Sequence, residues 1–308
     1  MNMGGTVVDV ENVTKIYPNG VVANRGVSLK VCNGEIVCLV GPNGAGKTTL
    51  IRQIMGLLRP TSGRVRVLGV DPFREQHVVR KNVGYVPQAP LTFPAHRVSE
   101  VLEYVVDLAG EKRARVYELL ELLDLEDVRS ALGYQLSLGQ RKLLLIAMAL
   151  AKNPAVLVMD EPTAFVDIIR KRVVWEIISK LKSQNKTVLL VSHDVEEVKR
   201  LCDRVYVMFS GRVVYSGGIT DVSKLGGVEL RIYTSSPSEV AKKIRHGVTR
   251  VQGNTLLASY TTLSEALKDL SSLADLPTNG LEFKLVLEYP SITSTLLSIA
   301  DEGRGNGV

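Results

Sequence analysis

The chain has 308 residues, 45% of them apolar and 23% charged, with a formal net charge of +6. At roughly 150 residues per domain this predicts two domains, each large enough for its own core. The longest uncharged apolar run, LLLIAMALA at 143–151, is far short of the ~20 residues of a spanning helix, and MNMGGTVVDV lacks a basic stretch leading into an apolar one, so neither a membrane span nor a secretory signal is expected and the chain is expected in the cytoplasm.

Residues 7–40 read as strands, VVDVENVTKIY, GVSLKV and EIVCLV, separated by turns at Pro18 to Gly20 and at Asn33 and Gly34. Tyr17 lies in the first turn, where its ring could stack on a base, although a lone aromatic at such an edge more often only packs. Cys32, Cys38 and Cys202 are odd in number and lack C-x-x-C spacing, so they are expected to be reduced and structural.

The apolar run EIVCLV feeds GPNGAGKTT at 41–49, which leads into the helical pattern TTLIRQIMGLL. Gly41, Gly46, Lys47 and Thr48 fill the pattern G-x-x-x-x-G-K-[ST], a loop whose backbone N–H groups converge on nucleotide phosphates. Glycines let the backbone take angles closed to other residues, and the helix that follows turns its positive end toward the phosphates. Gly41, Asn43, Gly44, Ala45, Gly46, Lys47, Thr48 and Thr49 are therefore the candidate ligands of a nucleotide, with Lys47 on the β and γ phosphates and Thr48 on Mg²⁺.

The helix ends at Pro60, GRVRVLG at 63–69 returns as a strand, and a short helix is expected near 75–80. VGYVPQAP at 83–90 is a strand running into a loop with Gln88 at its mouth. Residues 98–124 show apolar positions at helical spacing, so a helical insertion is expected at about 89–150. At 136–154, LSLGQRKLLLIAMALAKNP begins a further helix, and Ser137 with Gln140 three residues on is a capping-box pattern. AVLVMDEP at 155–162 is a short apolar run ending in two acids, as in a parallel strand buried on both faces. DIIRKRVVWEIISKLKSQN is read as a helix, with RKR at 170–172 on a solvated face. TVLLVSH is a second buried strand, DVEEVKRLCD a short helix and RVYVMFSGRVVYSGG a closing hairpin. This alternation predicts an α/β domain over 1–218 with a mainly parallel sheet.

After Gly217 and Gly218 the texture changes. Residues 219–308 hold 9 Lys+Arg against 10 Asp+Glu, which leaves +7 on residues 1–218, a balance suited to polyphosphate; no basic run marks a nucleic-acid arm, and no nucleic-acid partner is expected. The order strand, helix, two strands around Gly253, helix, strand and helix over 228–300 predicts a small βαββαβ, ferredoxin-like α+β domain at 219–300, with 301–308 a disordered tail.

Hydrolysis at a phosphate loop needs a metal holder, a group that orients water and charge stabilisation at the γ-phosphate. Asp160 at a strand end is the candidate metal holder, Glu161 the candidate general base, and His193 follows another buried strand at the same sheet edge, where ligands of open α/β sheets bind. A GTPase, a kinase or a recombinase could share such a loop, but no N/T-K-x-D guanine motif is present.

GPNGAGKTT, Gln88, LSLGQ at 136–140, VLVMDEP at 156–162 and His193, in this order, closely resemble the ATP-binding cassette (ABC) ATPases over residues 6 to about 218. That resemblance implies a P-loop fold with a mixed sheet core, an antiparallel β subdomain and a helical insertion. It implies Tyr17 on adenine, Gln88 sensing Mg²⁺ and the transport subunit, His193 at the γ-phosphate, and Asp167 in the family's D-loop. It implies further that Ser137, Gly139 and Gln140 face the nucleotide of a second copy, in a dimer around ATP. Leu138 stands where the family usually has a glycine, and AFVDI at 164–168 departs from the common N-G-L-D-P or S-A-L-D-P form. The C-terminal section is similar to the accessory domain of the drug-exporter and sodium-exporter type, with Pro290 and Ser291 matching its closing motif. The expectation is thus an ATPase subunit driving a separate integral membrane permease, held on the cytoplasmic face of the membrane; the alternative is an ABC ATPase of macromolecular assembly or repair with no permease.

Overall fold

The computed structural model describes residues 5–90, 93–219, 228–260, 263–274 and 283–288. The chain divides into two compact units, residues 1–217 and 218–308.

In the first unit, β1 (Thr6–Ile16), β2 (Val22–Cys32) and β4 (Ser62–Val67) form an antiparallel sheet in the order β2-β1-β4. A second sheet runs β5 (Val83–Val86), β6 (Val156–Asp160), β7 (Thr187–Val191), β3 (Ile36–Val40), β8 (Arg204–Phe209) and β9 (Arg212–Gly218). From β5 to β8 every pairing is parallel. Every residue of β3, β6 and β7 is buried, which is why these segments read as unbroken apolar runs with no alternation. Their carboxyl ends lie in register at one edge, where Leu39 sits beside Val191 and Asp160 beside Val191 on the other side.

The helices are α1 (Lys47–Ile54), α2 (Gln76–Asn82), α3 (Val98–Ala109), α4 (Ala114–Leu122), α5 (Leu138–Leu150), α6 (Ile168–Ser183) and α7 (Val195–Leu201). α3 and α4 pack on each other and on α5, forming the helical insertion expected between strands. Arg170, at the start of α6, reaches Asp124 of that insertion at 3.4 Å, and Lys171 pairs with Asp194 at 2.9 Å, so two residues of the RKR stretch are half-buried in ion pairs, while Arg172 is exposed as expected.

Cys38 of β3 and Cys202, at the end of α7, are brought side by side in the core with Cα atoms 5.9 Å apart, and Cys32 stands apart from them. The juxtaposition follows from topology: α7 links β7 to β8, β3 lies between those two strands, and positions 164 apart in sequence become neighbours.

In the second unit, β10 (Val228–Thr234), α8 (Pro237–Ala241), β11 (Val248–Gln252), β12 (Thr255–Tyr260), α9 (Leu263–Ala274) and β13 (Phe283–Glu288) follow in order. The four strands pair antiparallel in the order β11-β12-β10-β13. Leu230, Ile232, Leu256, Ala258 and Tyr260 point to one face and bury against Val240, Ala266 and Leu273. The helix expected at 291–300 and the tail at 301–308 lie outside the described residues.

Candidate active site

β3 delivers the chain into Gly41 at φ +148°, where a Cβ would lie 2.1 Å from the carbonyl oxygen of Met208. At Gly46, φ is +96° and a Cβ would meet the Ala23 carbonyl oxygen at 2.2 Å, so both ends of the loop require glycine. Gly46 is also the N-cap of α1 and offers no side-chain cap, which leaves the first amides of the helix directed at the loop without a side-chain acceptor. Asn24, buried in β2, donates from Nδ2 to the Gly46 carbonyl at 3.1 Å and fixes this start. Sequence reasoning missed it; a polar residue among the inward positions Val27, Leu29 and Val31 was the available signal.

Lys47 is buried and curls over the loop, donating from Nζ to the carbonyls of Gly41 (2.7 Å) and Pro42 (2.9 Å). Burial lowers its pKa, and Glu161 and Asp160 oppose that fall. Ala45 is buried with its amide on the Pro42 carbonyl, while Asn43 and Gly44 are exposed at the loop crest. Thr49 Oγ1 stands 3.3 Å from the Tyr17 hydroxyl, so Tyr17 sits beside the loop helix, with Lys15 Nζ 5.6 Å from its ring centroid.

Asp160 closes β6, and Thr48 Oγ1 donates to its Oδ2 at 3.0 Å. Burial raises the Asp160 pKa, assisted by Glu161 and opposed by the Thr48 hydrogen bond and by Lys142 and Lys47. Glu161 turns away at φ +50°, its amide donating to the Val191 carbonyl at 2.9 Å, and its Oε1 lies 3.3 Å from Nδ1 of His193. His193 is 70% exposed, whereas Glu161 is 12% exposed. The two adjacent acids thus serve different directions: Asp160 faces the loop, Glu161 faces His193. A hydroxyl and a carboxylate meeting at 3.0 Å are the oxygen donors a hard divalent cation takes together with phosphate oxygens, so these residues fit Mg²⁺.

A second group gathers at the start of α5 and the 164–168 loop that leads into α6. Ser137 accepts the Gln140 amide at 3.2 Å and Gln140 Oε1 accepts the Ser137 amide at 2.9 Å, the capping box read from sequence. Gly139 sits against the 164–168 loop, where an added Cβ would be 3.0 Å from the Phe165 carbonyl oxygen. Asp167 caps α6 through the amides of Ile169 and Arg170; the Arg170 amide bond, the Arg170 guanidinium and the Ile169 amide bond hold its pKa low. Gln88 is exposed in the loop after β5, and its carbonyl accepts from Lys142. Lys142 was also missed; burial pulls its pKa down to about 8 against the opposing charges of Asp160 and Glu161.

Residues 24–164 match the family model described as ABC transporter. The Nod factor export ATP-binding protein I of Rhizobium etli is 36% identical over 259 residues, 82% of each chain. The chain belongs to the ABC transporter family. The same-named protein of Burkholderia orbicola is 37% identical over 260 residues, 81% of this chain and 84% of that one. Among solved structures, a dimeric ATP-binding cassette in a post-hydrolysis state with ADP and Pi is 29% identical, with a TM-score of 0.64 over 69% of this chain and 98% of that one. An ATP-binding subunit of an ABC transporter gives a TM-score of 0.66 at 27% identity, over 71% and 92%. This ABC chain is an ATPase, with the cassette fold of a mixed sheet, an antiparallel sheet and a helical insertion.

Proposed function

We propose that this ABC ATPase is the energising subunit of an exporter, in which two copies close around two ATP and drive a separate integral membrane permease from the cytoplasmic face of the membrane. The convergence of Lys47, the Thr48–Asp160 pair and the Glu161–His193 pair at the carboxyl edge of one parallel sheet carries the reading. The loop glycines, Asn43, Ala45, Lys47, Thr48 and Thr49 bind the phosphates, and Tyr17 stacks on adenine. Thr48, Asp160 and Gln88 hold Mg²⁺, which when bound neutralises charge on the β and γ phosphates. Glu161 takes the proton of the attacking water, and His193 orients Glu161 and meets the γ-phosphate.

Ser137, Gly139, Gln140 and Asp167 face the nucleotide of the second copy. Leu138, Phe165, Ile168 and Ile169 expose apolar surface beside them, which supports a covered interface there. Dimeric solved relatives support the same closure. Export is supported by the relatives named for it. A permease partner is supported by a cavity of about 440 Å³ where the helical insertion meets the core, lined by Met55, Leu57, Val83, Leu108, Leu145 and Met148. Leu57 and Leu108 stand exposed at its rim, suited to an apolar helix from the permease. Among the described residues no helix is long and apolar enough to cross a membrane, in keeping with a separate permease. The C-terminal unit, taken as residues 219–300, is a ferredoxin-like accessory domain, a reading supported by its βαββαβ order and by β10 and β12 lying between the edge strands β11 and β13.

The test is Lys47→Ala. Losing a charge-assisted contact of ~1.5 to 3 kcal/mol lowers ATP affinity by ~10- to 100-fold, with turnover falling as well. Unchanged ATP affinity and turnover would remove the loop from the mechanism.

A further inference from the structure

Lys142 lies in the second turn of α5, five residues beyond the Ser137 cap, and its side chain is completely buried. Its Nζ donates to the carbonyls of Pro87 (2.8 Å) and Gln88 (2.8 Å), with the Asp160 carbonyl at 3.4 Å. An ammonium has three donors, and each here meets one main-chain oxygen. Two of those oxygens belong to the loop after β5; the third closes β6 one residue before Glu161. A methionine or leucine could fill this space without removing a charge from water, and a buried cation is costly unless all its donors are used. The cation therefore does something that packing does not require: it ties three separate segments, each bearing a site residue, to one point.

We propose that Lys142 is a positioning residue for hydrolysis, clamping the Gln88 loop and the Asp160–Glu161 strand end to the helix that Ser137 caps. Displacement of α5 then moves the Gln88 backbone and the Glu161 peptide together. A change at the Ser137 end, or in the helical insertion packed on α5, thereby sets the geometry of the water-directing edge. This rests on the roles proposed for Glu161 and Gln88, and it adds a residue that touches neither nucleotide nor water.

The experiment uses the full chain with Lys142→Met, which keeps the length and removes the donors. Lys142→Arg keeps the charge but changes the donor geometry, and Leu143→Ala is a stability control in the same helix. Thermal midpoint, affinity for a fluorescent ATP analogue, kcat and KM are measured for each. The proposal expects Lys142→Met to hold nucleotide within ~3-fold of wild type while kcat falls ~10- to 100-fold, the scale of hydrogen bonds to a charge. Lys142→Arg falls between the two, and Leu143→Ala loses thermal stability with kcat kept. A kcat for Lys142→Met within ~2-fold of wild type, or a loss matched by Leu143→Ala at equal thermal midpoint, overturns the proposal. If Lys142→Met does not fold, Lys142→Arg decides: lowered kcat at unchanged affinity supports the clamp, and wild-type kcat overturns it. A wild-type chain that hydrolyses no ATP would instead defeat the proposed function, so the two failures are distinct.

Discussion

The mainly parallel sheet of the cassette and the antiparallel sheet of the C-terminal unit are used in opposite ways. In the cassette, β3, β6 and β7 are buried along their whole length, so their side chains are committed to the core and the polar groups collect beyond their carboxyl ends. In the C-terminal unit, β12 alternates between buried and open positions and β11 is exposed throughout, leaving one face of the sheet for the helices and one for water. Its buried acid, Asp269, serves the fold: it accepts the amides of Arg245 and His246 and meets the His246 ring at 2.7 Å. Two of the cassette's side-chain-bearing residues at positive φ, Glu161 (φ +50°) and Phe165 (φ +67°), fall beside the site, and others are spread through the cassette. A sheet buried on both faces concentrates its chemistry at an edge, whereas a half-open sheet is free to stay a scaffold.

The sharpest way to break this comparison is Glu161→Gln. If the edge carries the chemistry, turnover falls ~10²- to 10⁴-fold, as for a lost general base, while Lys47 and Thr48 still hold nucleotide. Size exclusion with Mg-ATP should then show trapped dimers. A variant that stays monomeric and turns over like wild type contradicts both roles.

A cavity in the other sheet should have the complementary effect. Ile232 is fully buried in β10, and Ile232→Ala costs the C-terminal unit about 2–5 kcal/mol. ATP affinity should not change with it. Denaturant unfolding and nucleotide titration check this together, and a parallel loss of affinity would show that the scaffold reaches the site.

The smallest effect concerns acid. Burial raises the Asp269 pKa, but the hydrogen bonds from the His246 ring and from the two amides outweigh it and hold the carboxyl below its ordinary value. A carboxylate with a depressed folded pKa stabilises above its unfolded value of about 3.9, and that contribution is lost as pH falls through the folded pKa. Unfolding of the C-terminal unit followed across that window should lose stability in wild type, and Asp269→Asn should flatten the dependence. Equal pH slopes in the two proteins would contradict the assignment.

Much of this division can be read in the residues, and the remainder has physical reasons for being hidden. The strand, loop and helix around Gly41 to Thr48 is legible because each residue type is forced by backbone angle or charge. The Ser137–Gln140 cap is legible because both partners are local. The 3.3 Å approach of His193 to Glu161 is legible only as far as a shared sheet edge, because the contact itself depends on β6 and β7 being neighbours. The juxtaposition of Cys38 and Cys202 was hidden because it too depends on which strands are neighbours. Lys142 was obscured by its type: a lysine reads as solvated, although its spacing of four to Ile146 and seven to Ala149 placed it on the buried face of α5.

The central claim, that the cassette holds the whole of this chain's nucleotide site and the C-terminal unit none of it, is tested most directly by a chain ending at residue 218. ATP affinity is titrated and sedimentation followed with Mg-ATP, beside the full-length protein. Affinity within ~2-fold of full length, with any change confined to dimer stability or coupling, is the predicted result. Loss of ATP binding in a truncated chain that circular dichroism shows to be folded would contradict it.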